Sequence, residues 1–375
     1  MTAPSPRLTF VSSISDLQDS RDLSKSVAAA DRPDVTVSAW LWSRHNKPPR
    51  VPGYVSATVL QSGGGEHNWR LMTMYVRWMV RIFWRALRKQ PGTIFFCHRF
   101  ESAFPLAVAS IFRRKAYVFY NTDNVSTSYR WPGAIKSLLA AAERLAARRA
   151  ILHVVPGRSR WPYPDVNLRI IPNTPTQSTV DAARELRLLR DYKPGSRLTL
   201  YVNGWLVETR GLSTLIKAIE CCPAGAVQIV VAGRIGCEDA KRLIALPCAE
   251  YLGELSGEEA LATYYRTHLA FTFYDPRIEI NRTAESGKWG DCVATATPFI
   301  ANTEVQTARP YLENKQCLAV AYDDHEGLAR LLTDLSSHPE QWHALKQSIE
   351  RAPFESCDHA WNRVVTAMIA HAPAG

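Results

Sequence analysis

Short apolar runs rich in β-branched and aromatic residues recur along the first half of the chain. RLTFVSSI (7–14), VTVSAWLW (35–42), GTIFFCHR (92–99), KAYVFYNT (115–122), AILHVVPG (150–157) and LRIIPN (168–173) each have the length and residue types of a strand. Longer stretches between them, at 70–89, 102–113 and 133–149, read as helices. The last of these starts after Pro132 and ends in Arg148 and Arg149, cations that suit a helix C-terminus. Strands that alternate with helices predict a parallel, doubly wound sheet.

A polar segment, 175–196, interrupts this pattern before a second alternation begins. Strands are expected at 197–204, 226–233, 249–255, 269–275 and 297–303. Helices are expected at 212–222, 237–246, 256–267 and 285–296, then at 324–337, 339–350 and 357–371. The pattern predicts two Rossmann-like α/β units of similar size. Ligand-binding loops belong at the carboxyl ends of their strands.

Length agrees with that division, because 375 residues exceed what one compact core of about 100 to 200 residues holds. The expected boundaries are 1–175 for a basic N-terminal domain, 176–355 for a C-terminal domain, and 356–375 for a closing helix that packs back on the first. No apolar run approaches the roughly 20 residues needed to span a bilayer. The opening MTAPSPRLTFVSSISD has no secretory pattern, so the expected compartment is the cytoplasm. The eight Cys form no CxxC pair and several sit in apolar runs, which predicts buried thiols and no cysteine-held metal.

Charge divides the chain more sharply than composition does. Residues 1–175 hold 25 Lys and Arg against 10 Asp and Glu, a balance of +15; the remainder holds 20 against 25, a balance of −5, and the two sum to the total of +10. A basic half calls for an anionic partner, whether nucleic acid, a lipid surface or a phosphorylated substrate.

No GxGxxG or Walker A loop is present, which argues against a dinucleotide dehydrogenase or a P-loop NTPase. Single glycines instead follow strands, in NGWLVETRG (203–211) and AGRIG (232–236). Such glycines, Gly204 among them, let backbone approach a phosphate, with Arg210 and Arg234 nearby in sequence to add charge. Taken with ESGKWGDCVATATPFIAN (285–302), this order of motifs resembles the donor-binding half of the GT-B glycosyltransferases. The resemblance implies two facing Rossmann-like domains with a cleft between them, and a nucleotide sugar held by the second.

Two stretches are similar to the xanthan-type β-glucuronosyltransferase family of bacterial exopolysaccharide synthesis. In ESGKWGDCVATATPFIAN the resemblance implies donor contacts by Lys288 and by Asp291, the latter an acid where the family has an amide. Tyr274 in FTFYDP is the counterpart of a tyrosine near the nucleotide. KAYVFYNTDNVSTSY, preceded by FESAFPLAVAS, resembles the family's strand followed by a catalytic Asp and a Ser-Thr pair. That implies Asp123 as general base, with Ser126 and Thr127 as acceptor contacts. By itself, an Asp in NTDN is ordinarily an Asx turn or helix cap.

The implied reaction is transfer from a nucleotide sugar, UDP-linked with UDP-glucuronate as one candidate, to a lipid diphosphate-linked oligosaccharide. Lys288, Arg210 and Arg234 would carry the leaving diphosphate's charge, so no cofactor and no obligatory metal are expected. The paired Glu spaced eight apart in retaining relatives is missing, since Val293 stands eight after Glu285, and inversion is expected. Glu101 is the second candidate base, and Glu66 and His67 in QSGGGEHNW a third option. A uronate carboxylate would meet Arg277 or Arg282.

The helix at 70–89 carries Arg77, Arg81, Arg85 and Arg88 as one basic stripe. It either lies on the anionic inner face of the plasma membrane or packs on the sheet with its arginines in water. Retaining hexosyl transfer and sugar-nucleotide epimerisation are the alternatives within enzymes. A nucleic-acid-binding protein is the alternative outside them, although no recognisable motif points to one.

Overall fold

The computed structural model describes residues 6–18, 23–64, 69–88 and 92–371. The chain divides into two compact units, residues 1–172 with 357–375, and residues 173–356. In chain order the first unit contains β1 (Arg7–Ser12), α1 (Ser24–Ala29), β2 (Thr36–Ser43), β3 (Ser56–Ser62), α2 (Trp69–Ala86), β4 (Thr93–His98), α3 (Phe100–Phe112), β5 (Ala116–Tyr120), α4 (Val125–Ser128), α5 (Gly133–Arg149), β6 (Leu152–Val155) and β7 (Leu168–Ile170). All seven strands are parallel, in the order β3-β2-β1-β4-β5-β6-β7.

Both faces of this sheet are covered, and alternate strand residues serve each. Phe10, Phe96, Val118 and Tyr120 face a core closed by Val27 of α1 and by Trp361, Val364 and Met368. Val11, Phe95, Tyr117 and Phe119 face the other way, against Trp78 and Ile82 of α2, Leu106 of α3 and Ala146 of α5. Each fully buried large side chain contributes about 1.5 to 3 kcal/mol of transfer energy. Strands buried on both faces explain why the runs in the sequence are continuously apolar rather than alternating.

The second unit contains α6 (Gln177–Leu189), β8 (Leu198–Asn203), α7 (Leu212–Cys221), β9 (Val227–Ala232), α8 (Glu238–Ile244), β10 (Ala249–Tyr251), α9 (Gly257–Tyr264), β11 (Leu269–Thr272), α10 (Glu279–Arg282), α11 (Gly287–Thr295), β12 (Phe299–Asn302), α12 (Arg309–Glu313), β13 (Cys317–Val320), α13 (His325–Ser337) and α14 (Pro339–Glu350). Its six parallel strands run β10-β9-β8-β11-β12-β13, so the direction of winding reverses between β8 and β11. The last helix, α15 (Cys357–Ala370), belongs to the first unit, where Trp361 meets the rings of Phe96 and Tyr120.

The structure departs from expectation at five points. The polar segment 175–196 is largely helical: Thr176 Oγ1 accepts from Thr179 N at 3.2 Å to cap α6, and Val180 and Ala183 are buried. Strand β3 was not expected, because as an edge strand it exposes most of its side chains and shows little apolar patterning. Strand β13, four residues long, and the short helix α1 were too brief to register. The arginines of α2 do not form one solvated stripe either. Arg81 donates to the Leu60 carbonyl and Arg85 lies over the Trp40 ring at 5.1 Å, while Arg77 and Arg88 are exposed.

Candidate functional site

In the second unit the loops after β8 and β9 run together. Gly204 N donates to Ala232 O at 3.0 Å, Arg234 N to Gly204 O at 3.1 Å, and Leu206 N to Arg234 O at 2.9 Å. This contact admits no side chain at one position. A Cβ on Gly233, whose φ is +121°, would lie 2.0 Å from the Gly204 carbonyl oxygen. The loops therefore present bare backbone at the carboxyl end of β8, on the side where the sheet reverses.

Lys288 and Tyr274 meet this backbone. A Cβ on Gly204 would stand 3.5 Å from Lys288 Nζ, so the ammonium group reaches the glycine loop. Tyr274, which follows β11, is fixed at both ends. Its N–H donates to Asn302 Oδ1 at 2.8 Å, and its hydroxyl donates to Ser286 Oγ at 2.5 Å. Ser286 in turn caps α11, accepting from Lys288 N at 3.2 Å. Over the Tyr274 ring lie Arg210, at 4.5 Å from its centre, and Lys288 Nζ, at 6.0 Å. Two cations, a helix start and glycine backbone without a side chain thus converge on one buried aromatic ring, an arrangement that favours an anion beside a planar group.

The remaining donor-side candidates are placed as follows. Arg234 is exposed on the glycine loop. Asp291, one turn along α11 from Lys288, is buried, and its charge adds to burial in pushing the Tyr201 and Cys292 pKa values up. Arg282 is exposed and its Nε donates to Pro276 O at 2.8 Å. Arg277 is held by Asp275 through Nε at 2.8 Å and Nη2 at 2.9 Å, and this carboxylate keeps the guanidinium pKa above its ordinary value.

In the first unit the strand ends gather carboxylates. Arg99 adopts φ +67° and ψ 167°, a region costing a non-glycine residue about 1 to 3 kcal/mol, and so turns β4 sharply into α3. Glu101 then falls in the first turn of α3, where its Oε1 accepts from Ser13 Oγ at 2.5 Å. Arg44 supports Ser13 by donating from Nε to its carbonyl at 3.1 Å and from Nη2 to the Tyr75 hydroxyl at 2.5 Å.

Asp123 follows β5 and is half-exposed, with the buried Arg160 Nη1 3.7 Å from its Oδ1. The turn around it is tied down on all sides. Asn121 Nδ2 donates to Asn124 Oδ1 at 2.7 Å, and Asn124 Nδ2 to Arg160 O at 2.6 Å. Behind it, the buried Glu143 accepts from Val125 N at 2.6 Å and from Ser126 Oγ at 2.5 Å. Burial raises the Glu143 pKa while these hydrogen bonds oppose the rise. Ser126 is therefore turned inward, and Thr127 Oγ1 donates to Asn124 O at 3.3 Å. Glu66 and His67 lie outside the described residues.

Sequence reasoning missed three residues that organise these clusters. Ser286, a hydroxyl just before a helix start, carried a capping signal that went unused. Asn302 and Glu143 had none, since each acts on a residue distant in sequence.

No family model matches the chain, and no curated protein matches it. Solved structures do. A UDP-forming α,α-trehalose-phosphate synthase from Burkholderia xenovorans has a TM-score of 0.67 at 11% identity, over 99% of this chain and 100% of that one. Anabaena HepE, solved with UDP and glucose, has a TM-score of 0.64 at 12% identity, over 97% and 99%. A UDP-N-acetylglucosamine 2-epimerase has a TM-score of 0.57 at 11% identity, over 98% and 96%. The chain has the GT-B fold. At such identities the likeness speaks for architecture alone, and the neighbours include both a UDP-forming synthase and an epimerase.

Proposed function

We propose that the protein is a glycosyltransferase that takes its sugar from a nucleotide-sugar donor. The observation that carries this reading is the convergence of Arg210, Lys288 Nζ and the Gly204 backbone around the Tyr274 ring at the carboxyl ends of β8 and β11. Lys288, Arg210 and Arg234 would meet the diphosphate, and the start of α11 would add its dipole. Tyr274, Asp291 and Arg282 would contact the rest of the donor. The solved neighbour holding UDP and glucose supports a UDP-linked sugar.

Transfer with inversion needs a base to take the acceptor hydroxyl proton as that oxygen attacks the anomeric carbon. Asp123 fills this role in our reading, with Glu101 as the second candidate. A half-exposed carboxylate on a rigid turn suits the task, whereas Glu101 is already bound by Ser13. Ser126 would serve by holding that turn through Glu143, leaving Thr127, Glu66 and His67 as acceptor contacts. The proposed acceptor is a lipid diphosphate-linked oligosaccharide in bacterial polysaccharide assembly at the inner membrane face. With positive side chains opposite the leaving group, no metal is required of this mechanism.

UDP- and GDP-sugars tested by thermal shift decide the central claim. At about 100 times Kd a true donor adds about 2.7 kcal/mol of stability. In Lys288→Ala that gain should fall to about 0.4 to 1.4 kcal/mol, and if no sugar nucleotide stabilises the wild type the proposal fails. Epimerisation is the second reading, favoured by the epimerase among the structural neighbours. Turnover of a UDP-sugar without acceptor would select it, and the product's anomeric configuration separates inversion from retention.

A further inference from the structure

We infer that the outer face of α2, α3 and α5 is a docking surface for an anionic lipid bilayer, with Trp84, Phe112 and Leu138 entering the headgroup region. The inner sides of these helices cover one face of the first unit's sheet. Their outer sides leave large apolar groups in solvent: Trp84 is 64% exposed, Phe112 68% and Leu138 70%, with Val76, Val80 and Ile135 beside them. The helices pack as neighbours, α2 on α3 and α3 on α5. Phe83 links the first two members of the patch, its ring 5.4 Å from that of Trp84 and 6.3 Å from that of Phe112. Trp84, Phe83 and Phe112 are thus contiguous, and apolar exposure of this kind marks an interaction surface.

Charge selects the occupant. Residues 69–88 hold five Arg and no acid, and Arg113, Arg114 and Lys115 follow α3 directly. The only acids within α2, α3 and α5 are Glu101 and Glu143, and both carboxylates are engaged internally, by Ser13 and by Val125 and Ser126. The face is therefore cationic throughout, with Arg77, Arg88, Arg113 and Arg114 exposed at its margins. A second copy of the chain would bring like charges together. Nucleic acid would satisfy the arginines but gain little from Val76, Val80 or Leu138, since stacking needs planar groups. A bilayer with anionic headgroups takes both kinds of side chain at once. Among the described residues no helix is long and apolar enough to cross a membrane, so contact is at the interface.

The inference deepens the proposed function, in which a lipid-borne acceptor brings the enzyme to a bilayer, but its test needs neither donor nor acceptor. The full chain is sedimented with phosphatidylcholine vesicles, with or without phosphatidylglycerol. Wild type should sediment with the anionic vesicles only, and less so as salt rises. A Trp84→Ala, Phe112→Ala, Leu138→Ala variant should keep its melting temperature and bind at least about tenfold more weakly. Arg113→Glu with Arg114→Glu should abolish the preference for anionic lipid. Failure of the wild type to sediment, equal binding by the triple variant, or tighter retention on duplex DNA than on vesicles would each overturn the surface. Sugar-nucleotide stabilisation, measured in parallel, should be the same in the wild type and the triple variant. If it persists while vesicle binding fails, only the surface is lost and the donor reading stands.

Discussion

The two units share a doubly wound parallel sheet yet furnish their strand ends in opposite ways. The first, in the half of the chain with a charge balance of +15, places the carboxylates Glu101 and Asp123 after β4 and β5, each beside a supporting hydroxyl or arginine. The second, in the half with a balance of −5, places Arg210 and Lys288 over a tyrosine and bare glycine backbone. The candidate acids thus sit in the basic half and the candidate cations in the acidic half. Bulk charge reports on what a surface meets, whereas a site's charge depends on a few loop residues, so composition alone misleads about chemistry.

The sharpest way to break the comparison is Asp123→Asn. We expect turnover to fall by about 100-fold or more, with the fold and donor stabilisation intact; near-normal turnover would transfer the role of base to Glu101. Lys288→Ala should do the reverse, weakening sugar-nucleotide binding by about 10- to 100-fold, the scale of one charge-assisted hydrogen bond, as read by calorimetric titration. Equal binding by the variant would remove Lys288 from the donor site.

The glycines give a structural contrast. Gly233→Ala should destabilise the second unit by about 3 kcal/mol or more, because the added carbon would collide with Gly204 at a φ that disfavours side chains. Gly53→Ala in the first unit meets nothing within 4 Å and should change stability by less than about 1 kcal/mol. Denaturant midpoints of the two variants test this directly.

The smallest effect concerns Glu143. Its pKa is raised in the folded protein by burial, so the folded state holds this proton more tightly than the unfolded one. The resulting stability is present in full below the unfolded carboxyl pKa and is lost as pH rises through the folded value. Glu143→Gln should flatten that acid-side dependence, and an unchanged slope of stability against pH would show that the carboxyl does not titrate in this window.

Much of the architecture was legible in the chain itself. Strands such as Thr93–His98 and Leu198–Asn203 are buried on both faces, and their continuous apolar runs mark them without ambiguity. Edge strand β3 escaped because solvent on its side chains removes the pattern. Helix α6 escaped because a helix with only Val180 and Ala183 buried looks like a polar linker. Candidate residues were legible where a local motif carried them, as for Gly204 and Lys288. The arginines of α2 were visible as a series but not as separate fates, since Arg81 and Arg85 are claimed by Leu60 and Trp40.

Sequence by itself determined the alternation of strands and helices, the two-unit α/β class and the charge division, because each follows from local pattern or summed composition. Only the tertiary structure decided that Ser126 turns inward to Glu143 and that Tyr274 is pinned by Asn302 and Ser286. Those pairings join residues far apart in the chain. Their partners are chosen by which buried polar groups must be satisfied and which apolar surfaces must be covered once the sheets have formed.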